Sequence, residues 1–573
     1  MYFVARLNKT PKKVGTFIDS SIVEDQIEER GIGIGMYLSF NTEELEQIEM
    51  QVGLSYTSIE NAKVNLQHEA EGKIFNEVQS DAKQRWNQML NRIYVEGKSN
   101  DDKTKFYTGL YHALLGRGLA SDVNGEYVKN DGTIGQIPLD DKGEPKYHHH
   151  NSDGMWGGFW TLSQLWSLAY PEYMSQYIQS NIDFYKETGW LHDGVAAGVF
   201  TNGVSTNFQG LLIAAAYNCG IRDFDIETGY EAALKNEINY SGRNLGNGKY
   251  DLRHFVKDGY IPFGDTTISN GWIFNFGSSH TLEYSFSSFA VAQMAKGLRH
   301  FDDYQKLMKQ SENWTNLYDK ETNFIRPRLP NGNFISEFDT LVAWRGFQEG
   351  NAFQFTWFVP HDVAGLIQIM GNDLFNQRLE NMFNNSQKSM FGGGDEIHSF
   401  SGIEKLYNHG NQPCLHNSWL FNYSGKPWLT QKWVRTISNE FYGTKPLHGY
   451  GIGQDEDQGM LGAWYVLASI GLFDVQGHAG ETPTFQLGSP LFDKITIDLH
   501  PDYYKNDKIV IKTKNNSKEN LYIQSVKLDD KILDECWIKR TDLLEGEELI
   551  IDLSSKPNKD WGINRPPPSQ SNL

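Results

Sequence analysis

The stretch SFSSFAVAQMAKGLRHF, residues 285–301, decides the fold, because its apolar residues recur at the spacing of an α-helix. Other segments between residues 102 and 471 show the same pattern: DKTKFYTGLYHALLG (102–116), FWTLSQLWSLAY (159–170), TNFQGLLIAAAYNCG (206–220), DDYQKLMKQSENWTNLYD (302–319), VAGLIQIMG (363–371), PWLTQKWVRTISNEFY (427–442) and GMLGAWYVLASIG (459–471). Loops rich in Gly, Asn, Asp and Trp separate them. Many helices joined by polar loops predict paired helices in a ring or solenoid.

Segments with β character flank this helical centre. Before it stand YFVARLN (2–8), GIGIGMYLSF (31–40) and EQIEMQVGLSY (46–56), followed by a helical stretch at 69–98. After it stand KITIDLH (494–500), KIVIKTK (508–514), LYIQSVKLDD (521–530) and ELIIDL (548–553). The first group has too few strands for a closed sandwich.

These patterns predict an α+β multidomain chain with four regions. They are a partial N-terminal β-sandwich at 1–68, a helical linker at 69–102, a helical domain at 103–481 and a C-terminal β segment at 482–573. We expect the two β regions to pack together, because each is too short to bury its own face.

Composition excludes some classes of function. The formal net charge is -20 and no basic stripe is present, so a nucleic acid is not an expected partner. The three cysteines make neither a zinc pattern nor a disulfide framework. No run of about 20 apolar residues predicts a transmembrane helix, and MYFVARLNKT at the N-terminus lacks the apolar core of a signal peptide.

Glu349 is the first candidate for acid–base chemistry. It lies in GFQEGNAFQFTWFVPHD (346–362), just before Gly350 and Asn351 and upstream of several aromatic residues. A carboxyl group pressed against aromatic rings has a raised pKa and stays protonated, as a general acid must. The alternative is an acid that satisfies backbone N–H groups at a helix N-terminus. The residues alone favour neither interpretation.

Asp455 and Asp457 are candidates for the complementary base. They lie in GIGQDEDQGMLGAWYV (451–466), where one carboxylate could activate water while its neighbour tunes it. A capped, solvated turn before a helix explains the same residues, and without further information it is the more economical explanation.

Neutral polar residues cluster in YNHGNQPCLHNSWLFNY (407–423), and such donors and acceptors suit the hydroxyl groups of a sugar. Each of them, taken singly, is also typical of an ordinary turn. The candidate substrate-binding residues are Trp160, Asn351, His409, Asn411 and Gln412.

The segments together resemble glycoside hydrolase family 92, the calcium-dependent exo-acting α-mannosidases. The resemblance runs in order over about residues 50 to 500 and includes VGLSYTSIENAKVNL (52–66), FYTGLYHALL (106–115), TLEYSFSSFAVAQMAK (281–296), EGNAFQFTWFVPHDVAGLI (349–367), HGNQP (409–413), FNYSGKPWLTQKWVR (421–435), DEDQGM (455–460) and AWYVLASIGLFDV (463–475). It implies an (α/α)6 barrel as the catalytic domain, with a β-sandwich that is short or truncated here.

The resemblance also implies a mechanism and its residues. Glu349 corresponds to the general acid, and Asp457 with Asp455 to the general base pair of an inverting enzyme. Ca²⁺ would hold the O2 and O3 hydroxyls of mannose, although the residues themselves show no calcium loop. A secreted or periplasmic location is likewise implied by the family alone.

Two departures from the family pattern concern substrate contacts. The family has a Trp-Asp pair in a WDTYR-like segment, where FWTLSQ here places Thr161 after Trp160. The family's HGNEP is HGNQP, with Gln412 in place of a glutamate.

The leading hypothesis is therefore an inverting exo-α-mannosidase that removes terminal α-linked mannose from glycans, with α-1,2 linkage suggested by the resemblance. One alternative is hydrolysis of mannosyl phosphodiesters of the mannose-1-phosphate-6-mannose type, which needs less acid assistance and would fit the loss of a carboxylate at Gln412. The other is a non-catalytic carbohydrate-binding relative, against which the retained Glu349, Asp455 and Asp457 argue.

Overall fold

The computed structural model describes residues 1–116, 118–152, 155–201, 206–243, 248–249, 252–264, 267–269, 272–274, 276–391, 402–444 and 459–572. No helix within these ranges is long and apolar enough to cross a membrane.

The α-helices concentrate in the middle of the chain. They are α1 (Ile59–Ala70), α2 (Phe75–Leu90), α3 (Asn100–Leu115), α4 (Met155–Ala169), α5 (Pro171–Thr188), α6 (Phe208–Asn218), α7 (Ile226–Ile238), α8 (Leu252–Asp258), α9 (Gly277–Gly297), α10 (Phe301–Ser311), α11 (Ala352–Phe355), α12 (Val363–Met370), α13 (Asn372–Ser386), α14 (Pro427–Glu440), α15 (Met460–Ile470) and α16 (Arg540–Glu545).

The β-strands concentrate at the two ends. They are β1 (Tyr2–Leu7), β2 (Lys13–Ile18), β3 (Ser21–Glu24), β4 (Ile34–Ser39), β5 (Met50–Ser55), β6 (Ile93–Glu96), β7 (Glu126–Val128), β8 (Ile134–Gln136), β9 (Gly194–Ala196), β10 (Val199–Thr201), β11 (Thr267–Ser269), β12 (Trp272–Phe274), β13 (Tyr318–Asp319), β14 (Phe324–Ile325), β15 (Leu472–Phe473), β16 (Thr484–Leu487), β17 (Lys494–Asp498), β18 (Lys508–Lys514), β19 (Tyr522–Leu528), β20 (Lys531–Leu533), β21 (Trp537–Lys539) and β22 (Glu548–Ser554).

The chain divides into two compact units. The first comprises residues 1–88, 120–128 and 133–147, and the second comprises 89–119, 129–132 and 148–573. The sequence predicts a first boundary near residue 68, whereas here α1 and most of α2 belong to the first unit. Helix α1 belongs to the first unit because it packs directly against β5.

The first unit consists of small antiparallel sheets, α1 and most of α2. Strand β1 pairs with β5, β2 lies between β3 and β4, and β7 pairs with β8. Helix α1 begins at Ser58, whose side chain accepts a hydrogen bond from the backbone N–H of Asn61. A Cβ atom at Gly53 of β5 would lie 2.2 Å from the carbonyl oxygen of Ala62, so a glycine is required for this close approach.

The helices of the second unit alternate between two degrees of burial. Helices α4, α6, α9 and α15 are buried along nearly their whole length, while their packing neighbours α5, α7 and α10 keep partly exposed faces. Helices α3 and α15 cross at two glycines, since a Cβ at Gly109 would lie 2.8 Å from the Gly462 carbonyl oxygen. Buried helices thus pack against partly exposed neighbours in the second unit.

The C-terminal strands form their own sheet. Its order is β20-β19-β22-β18-β17-β6, with β18 and β22 parallel and the other pairs antiparallel. Alternate residues of β22, Leu549, Ile551 and Leu553, are buried. The sequence predicts that residues 482–573 pack with the N-terminal strands. That packing stays a prediction; within the second unit, the strands of this sheet pair with one another and with β6.

Candidate active site

Glu349 lies in the loop that precedes α11, and its backbone is held in an uncommon conformation. Its φ angle is +49°, in the left-handed region that residues other than glycine seldom adopt, at a typical cost of about 1–3 kcal/mol. Such strain persists only where surrounding contacts enforce it, and it is concentrated at functional sites. Glu349 is also only partly buried, so its side chain remains accessible.

The start of α9 holds one side of this loop. The backbone N–H groups of Ser278 and Ser279 both donate to the carbonyl oxygen of Gly346, at 3.0 and 3.1 Å. The Ser279 hydroxyl accepts from the backbone N–H of Gln348 at 3.1 Å. The first N–H groups of a helix have no partner within the helix, so the loop satisfies them while they fix the loop.

Asn411 holds the other side of Glu349. Its side-chain Nδ2 donates to the Glu349 carbonyl oxygen at 2.9 Å and lies 3.4 Å from Glu349 Oε2. Its Oδ1 accepts from the backbone N–H of Gln412 at 2.9 Å. The structure therefore brings together three residues that the sequence nominates for the site: Glu349, Asn411 and Gln412.

Asn351 has a structural role here. Its Oδ1 accepts from the backbone N–H of Gln354 and caps α11, and its Nδ2 donates to the carbonyl oxygens of Ile403 and Lys405 at 2.7 and 3.0 Å. The residue is fully buried. The prediction that Asn351 contacts the sugar is not supported by this position. This cap also argues against the interpretation of Glu349 as the capping acid of a helix, because Asn351 supplies the capping oxygen of α11.

Trp160 lies in the core, and its predicted contact with a sugar is not supported by this position. It is fully buried, its indole Nε1 donates to the Val475 carbonyl oxygen at 3.1 Å, and its ring stacks on Phe286 and His416. Trp156, one turn earlier on α4, makes a different contact, because its Nε1 donates to Glu283 Oε1 at 2.7 Å.

His409 is also part of the core. Its Nδ1 shares a hydrogen bond with the Tyr407 hydroxyl at 2.8 Å and its Nε2 with the Tyr442 hydroxyl at 2.9 Å. Burial lowers the pKa of His409 to about 3, so the ring is neutral. With both nitrogens engaged, His409 fixes the loop that carries Asn411 and Gln412, and its predicted contact with a sugar is not supported.

Gln412 packs against the start of α4. A Cβ atom at Gly157 would lie 2.7 Å from both Cγ and Nε2 of Gln412 and 2.8 Å from the sulfur of Met460. The glycine after Trp156 thus makes room for the Gln412 amide, which is 1% exposed.

Glu283 is a buried acid that the sequence did not nominate. It lies on α9, one of the helices without an exposed face, and accepts the indole hydrogen bond of Trp156. Burial raises the pKa of Glu283 to about 7; His280 and the Trp156 hydrogen bond act against the rise, while the negative charges of Asp193 and Glu349 add to it. The available signal was a lone acid in an otherwise uncharged stretch, TLEYSFSSFAVAQ (281–293).

Asp455 and Asp457 lie outside the described residues, so the assignment of the base remains a prediction. Within the described ranges, no group of three or more His, Cys, Asp and Glu side chains is placed to hold a metal ion. Calcium, which the family resemblance implies, therefore stays a prediction.

These features define a chain with a buried helical centre and an accessible carboxylic acid, whose strained backbone is held in place by the start of α9 and by the Asn411 amide. The model of the glycosyl hydrolase family 92 catalytic domain matches residues 61–555, and the chain belongs to this family.

Comparison with individual proteins agrees with that family. An α-mannosidase of family GH92 from Bacteroides thetaiotaomicron is 26% identical, with a TM-score of 0.84 over 99% of this chain and 72% of its own. An inverting mannosidase of the same family from B. thetaiotaomicron VPI-5482 is 25% identical, with a TM-score of 0.87 over 99% and 75%. An uncharacterized secreted glycosidase of Arthroderma benhamiae is 26% identical over 94% of this chain. The chain spans 65% of that relative's length.

Proposed function

We propose that this chain carries the catalytic site of an inverting exo-α-mannosidase that removes terminal α-linked mannose from glycans. The observation that carries the proposal is Glu349, which the backbone holds in a strained conformation between α9 and Asn411. The likeness to GH92 mannosidases supports mannose as the sugar. One structure of the GH92 α-mannosidase from Bacteroides thetaiotaomicron is a complex with mannoimidazole.

In the proposed reaction, Glu349 donates its proton to the glycosidic oxygen as the bond to the anomeric carbon breaks. Asp457, tuned by Asp455, takes a proton from a water that attacks the opposite face of the sugar, so the configuration inverts. The Asn411 amide fixes the Glu349 backbone, and Gln412 lies next to Asn411 on the same loop.

Three further parts of the proposal rest on the family. The helices of the second unit would form an (α/α)6 barrel, for which the alternation of buried and partly exposed helices is the supporting observation. Calcium would be the cofactor and would polarise the mannose hydroxyls. The secreted description of the A. benhamiae relative supports an extracellular location.

Digestion of a panel of mannobioses, with and without a chelator, tests this function. We expect release of mannose from at least one α-linked mannobiose, loss of the activity after chelation, and better recovery with Ca²⁺ than with Mg²⁺, which prefers strict octahedral geometry. A Glu349→Gln protein purified in the same way is the matched control. Full activity after exhaustive chelation would remove calcium from the proposal. Sugar binding without hydrolysis of any substrate would favour the non-catalytic relative.

Hydrolysis of mannosyl phosphodiesters is the second candidate, and Gln412 is the observation that favours it. A neutral amide at this position provides no proton for a poor leaving group and does not repel a phosphate. If the candidate is right, the wild-type chain cleaves mannose-1-phosphate-6-mannose faster than any mannobiose, and Gln412→Glu reverses that order. If it is wrong, a mannobiose is the better substrate for the wild type. Gln412→Glu then changes KM but leaves the mannobiose as the better substrate.

A further inference from the structure

The loop that carries Glu349 is strained at more than one residue. Trp344 has a φ angle of +63° and Glu349 one of +49°, both in the left-handed region that favours glycine. The Trp344 backbone N–H donates to the Gly350 carbonyl oxygen at 3.1 Å, so both residues lie within one closed loop. Each strained residue costs about 1–3 kcal/mol, and a loop without outside contacts would relax. Contacts from other elements must therefore hold the loop in this conformation.

Two consecutive side chains at the start of α9 contact Gln348, the residue before Glu349. Ser279 Oγ accepts from the Gln348 backbone N–H at 3.1 Å and donates to the Phe276 carbonyl oxygen, also at 3.1 Å. His280 Nε2 lies 3.2 Å from Gln348 Oε1 and donates to it, because an amide oxygen can only accept. Gln348 is thus held at its backbone and at its side chain by the same helix.

The surroundings of His280 fix the direction of its ring. The imidazole stacks on the Tyr284 ring, with centroids 5.5 Å apart and planes within 8° of each other. Its edge meets the ring of Phe276 at a centroid distance of 6.0 Å. Ser279 and His280 are both fully buried, and Gln348 is 6% exposed. The contacts to Gln348 therefore come from side chains that packing holds in place.

We propose that Ser279 and His280 are positioning residues for the general acid: through Gln348 they hold the Glu349 backbone in its left-handed conformation and so aim its carboxyl group at the glycosidic oxygen. Asn411 holds the Glu349 carbonyl oxygen from the other side. A general acid must lie within about 2.6–3.2 Å of the oxygen that it protonates, so a relaxed loop would carry the carboxyl group out of reach. This inference rests on the proposed function of Glu349.

Ser279→Ala tests the contact to the Gln348 backbone. It removes the accepting hydroxyl but leaves the backbone N–H of residue 279 free to donate to Gly346. The measurement is kcat/KM on an α-linked mannobiose and on an aryl mannoside with an activated leaving group. We expect a loss of about 10–10²-fold on the mannobiose and a loss within a few fold on the aryl mannoside, which needs no proton. Ser279→Thr restores a hydroxyl group and should recover most of the lost activity.

His280→Phe tests the contact to the Gln348 side chain. It keeps a ring against Tyr284 but removes the donor, so we expect the same selective loss on the mannobiose. Ser285→Ala is the matched control, because it removes another buried hydroxyl of α9, one that donates within the helix to the Thr281 carbonyl oxygen. This control should behave like the wild type on both substrates. Equal losses on the two substrates, or no loss, in the folded Ser279→Ala and His280→Phe proteins would overturn the inference.

Glu349→Gln separates a failure of this inference from a failure of the proposed function. A selective loss in Glu349→Gln, together with unselective behaviour of Ser279→Ala and His280→Phe, would overturn only the positioning role. Equal losses of Glu349→Gln on the two substrates would instead contradict Glu349 as the acid and with it the proposed function.

Discussion

Glu237 and Glu283 are both glutamates buried in the second unit, but their surroundings differ in charge and in hydrogen bonds. Glu237 forms an ion pair with the buried Lys249 and accepts further hydrogen bonds from Ser288 Oγ and Asn207 Nδ2, both at 2.6 Å. Glu283 accepts one hydrogen bond and has no such cation among the described residues.

The comparison teaches that burial alone does not identify a functional acid. Burial lowers the pKa of Lys249 to about 8 even though Glu237 acts in the opposite direction, so the lysine still carries its charge at neutral pH. Glu237 and Lys249 thus neutralise each other and join α7 to the segment that follows it. Glu283 keeps a buried oxygen without a hydrogen-bond partner among the described residues, and the charge of Glu349 raises its pKa further. Strongly shifted pKa values of this kind are common among functional acids.

The largest effect on stability should come from breaking the paired glutamate. Lys249→Met leaves the Glu237 carboxylate buried without a counter-charge, and we expect a loss of about 3–5 kcal/mol in the free energy of unfolding. Chemical denaturation at neutral pH measures it. The double variant Glu237→Gln, Lys249→Met removes both charges and should be more stable than Lys249→Met alone. A single variant as stable as the wild type would mean that the pair does not hold the fold.

Glu283→Gln should raise the free energy of unfolding, whereas Lys249→Met lowers it, and the size of the increase should depend on pH. The pKa of Glu283 rises from 4.5 to about 7 on folding, so the folded chain binds the proton more tightly than the unfolded chain. This group therefore stabilises the fold most at low pH, and that contribution is lost as the pH rises from about 4.5 through 7. Relative to wild type, Glu283→Gln should gain on the order of 3 kcal/mol across this window. A difference that stays constant from pH 4.5 to 8 would contradict the raised pKa.

The smallest expected effect concerns the packing of Gln412. Gly157→Ala places a methyl group within 2.7 Å of the Gln412 side chain, and overpacking of this kind typically costs about 1–3 kcal/mol. Because the displaced group lies next to the site, we expect a higher KM as well. Gly229→Ala on α7 meets its nearest neighbour, Ile182 Cδ1, only at 3.1 Å and is the matched control. Equal kinetic effects of the two substitutions would show that Gln412 does not contribute to substrate binding.

Local periodicity was enough to predict many of the helices. GMLGAWYVLASIG at 459–471 corresponds to α15 at Met460–Ile470, and VAGLIQIMG at 363–371 to α12 at Val363–Met370. The apolar spacing of residues 302–319 predicts one helix. The structure ends α10 at Ser311 and continues with a tighter 3-10 turn at Glu312–Leu317, a change that apolar spacing does not report.

The site was harder to predict because its residues meet through tertiary contacts. Glu349, Asn411 and Gln412 could be nominated from their motifs. Trp156 and Trp160 lie one turn apart on α4, so the sequence could not tell which ring enters the core and which reaches an acid. Glu283 stands more than sixty positions before Glu349 in the chain, and only the packing of the Glu349 loop against the start of α9 relates them.

The role of Glu349 as general acid is the central claim. It is tested most directly by how the loss of activity in Glu349→Gln depends on the leaving group. The measurement is kcat/KM of the wild type and the variant on an α-linked mannobiose and on an aryl mannoside with an activated leaving group. We predict a loss of about 10²–10⁴-fold on the mannobiose, since its leaving alkoxide needs the proton, and a much smaller loss on the aryl mannoside, which departs without one. Equal losses on the two substrates would contradict the assignment of Glu349 as the acid.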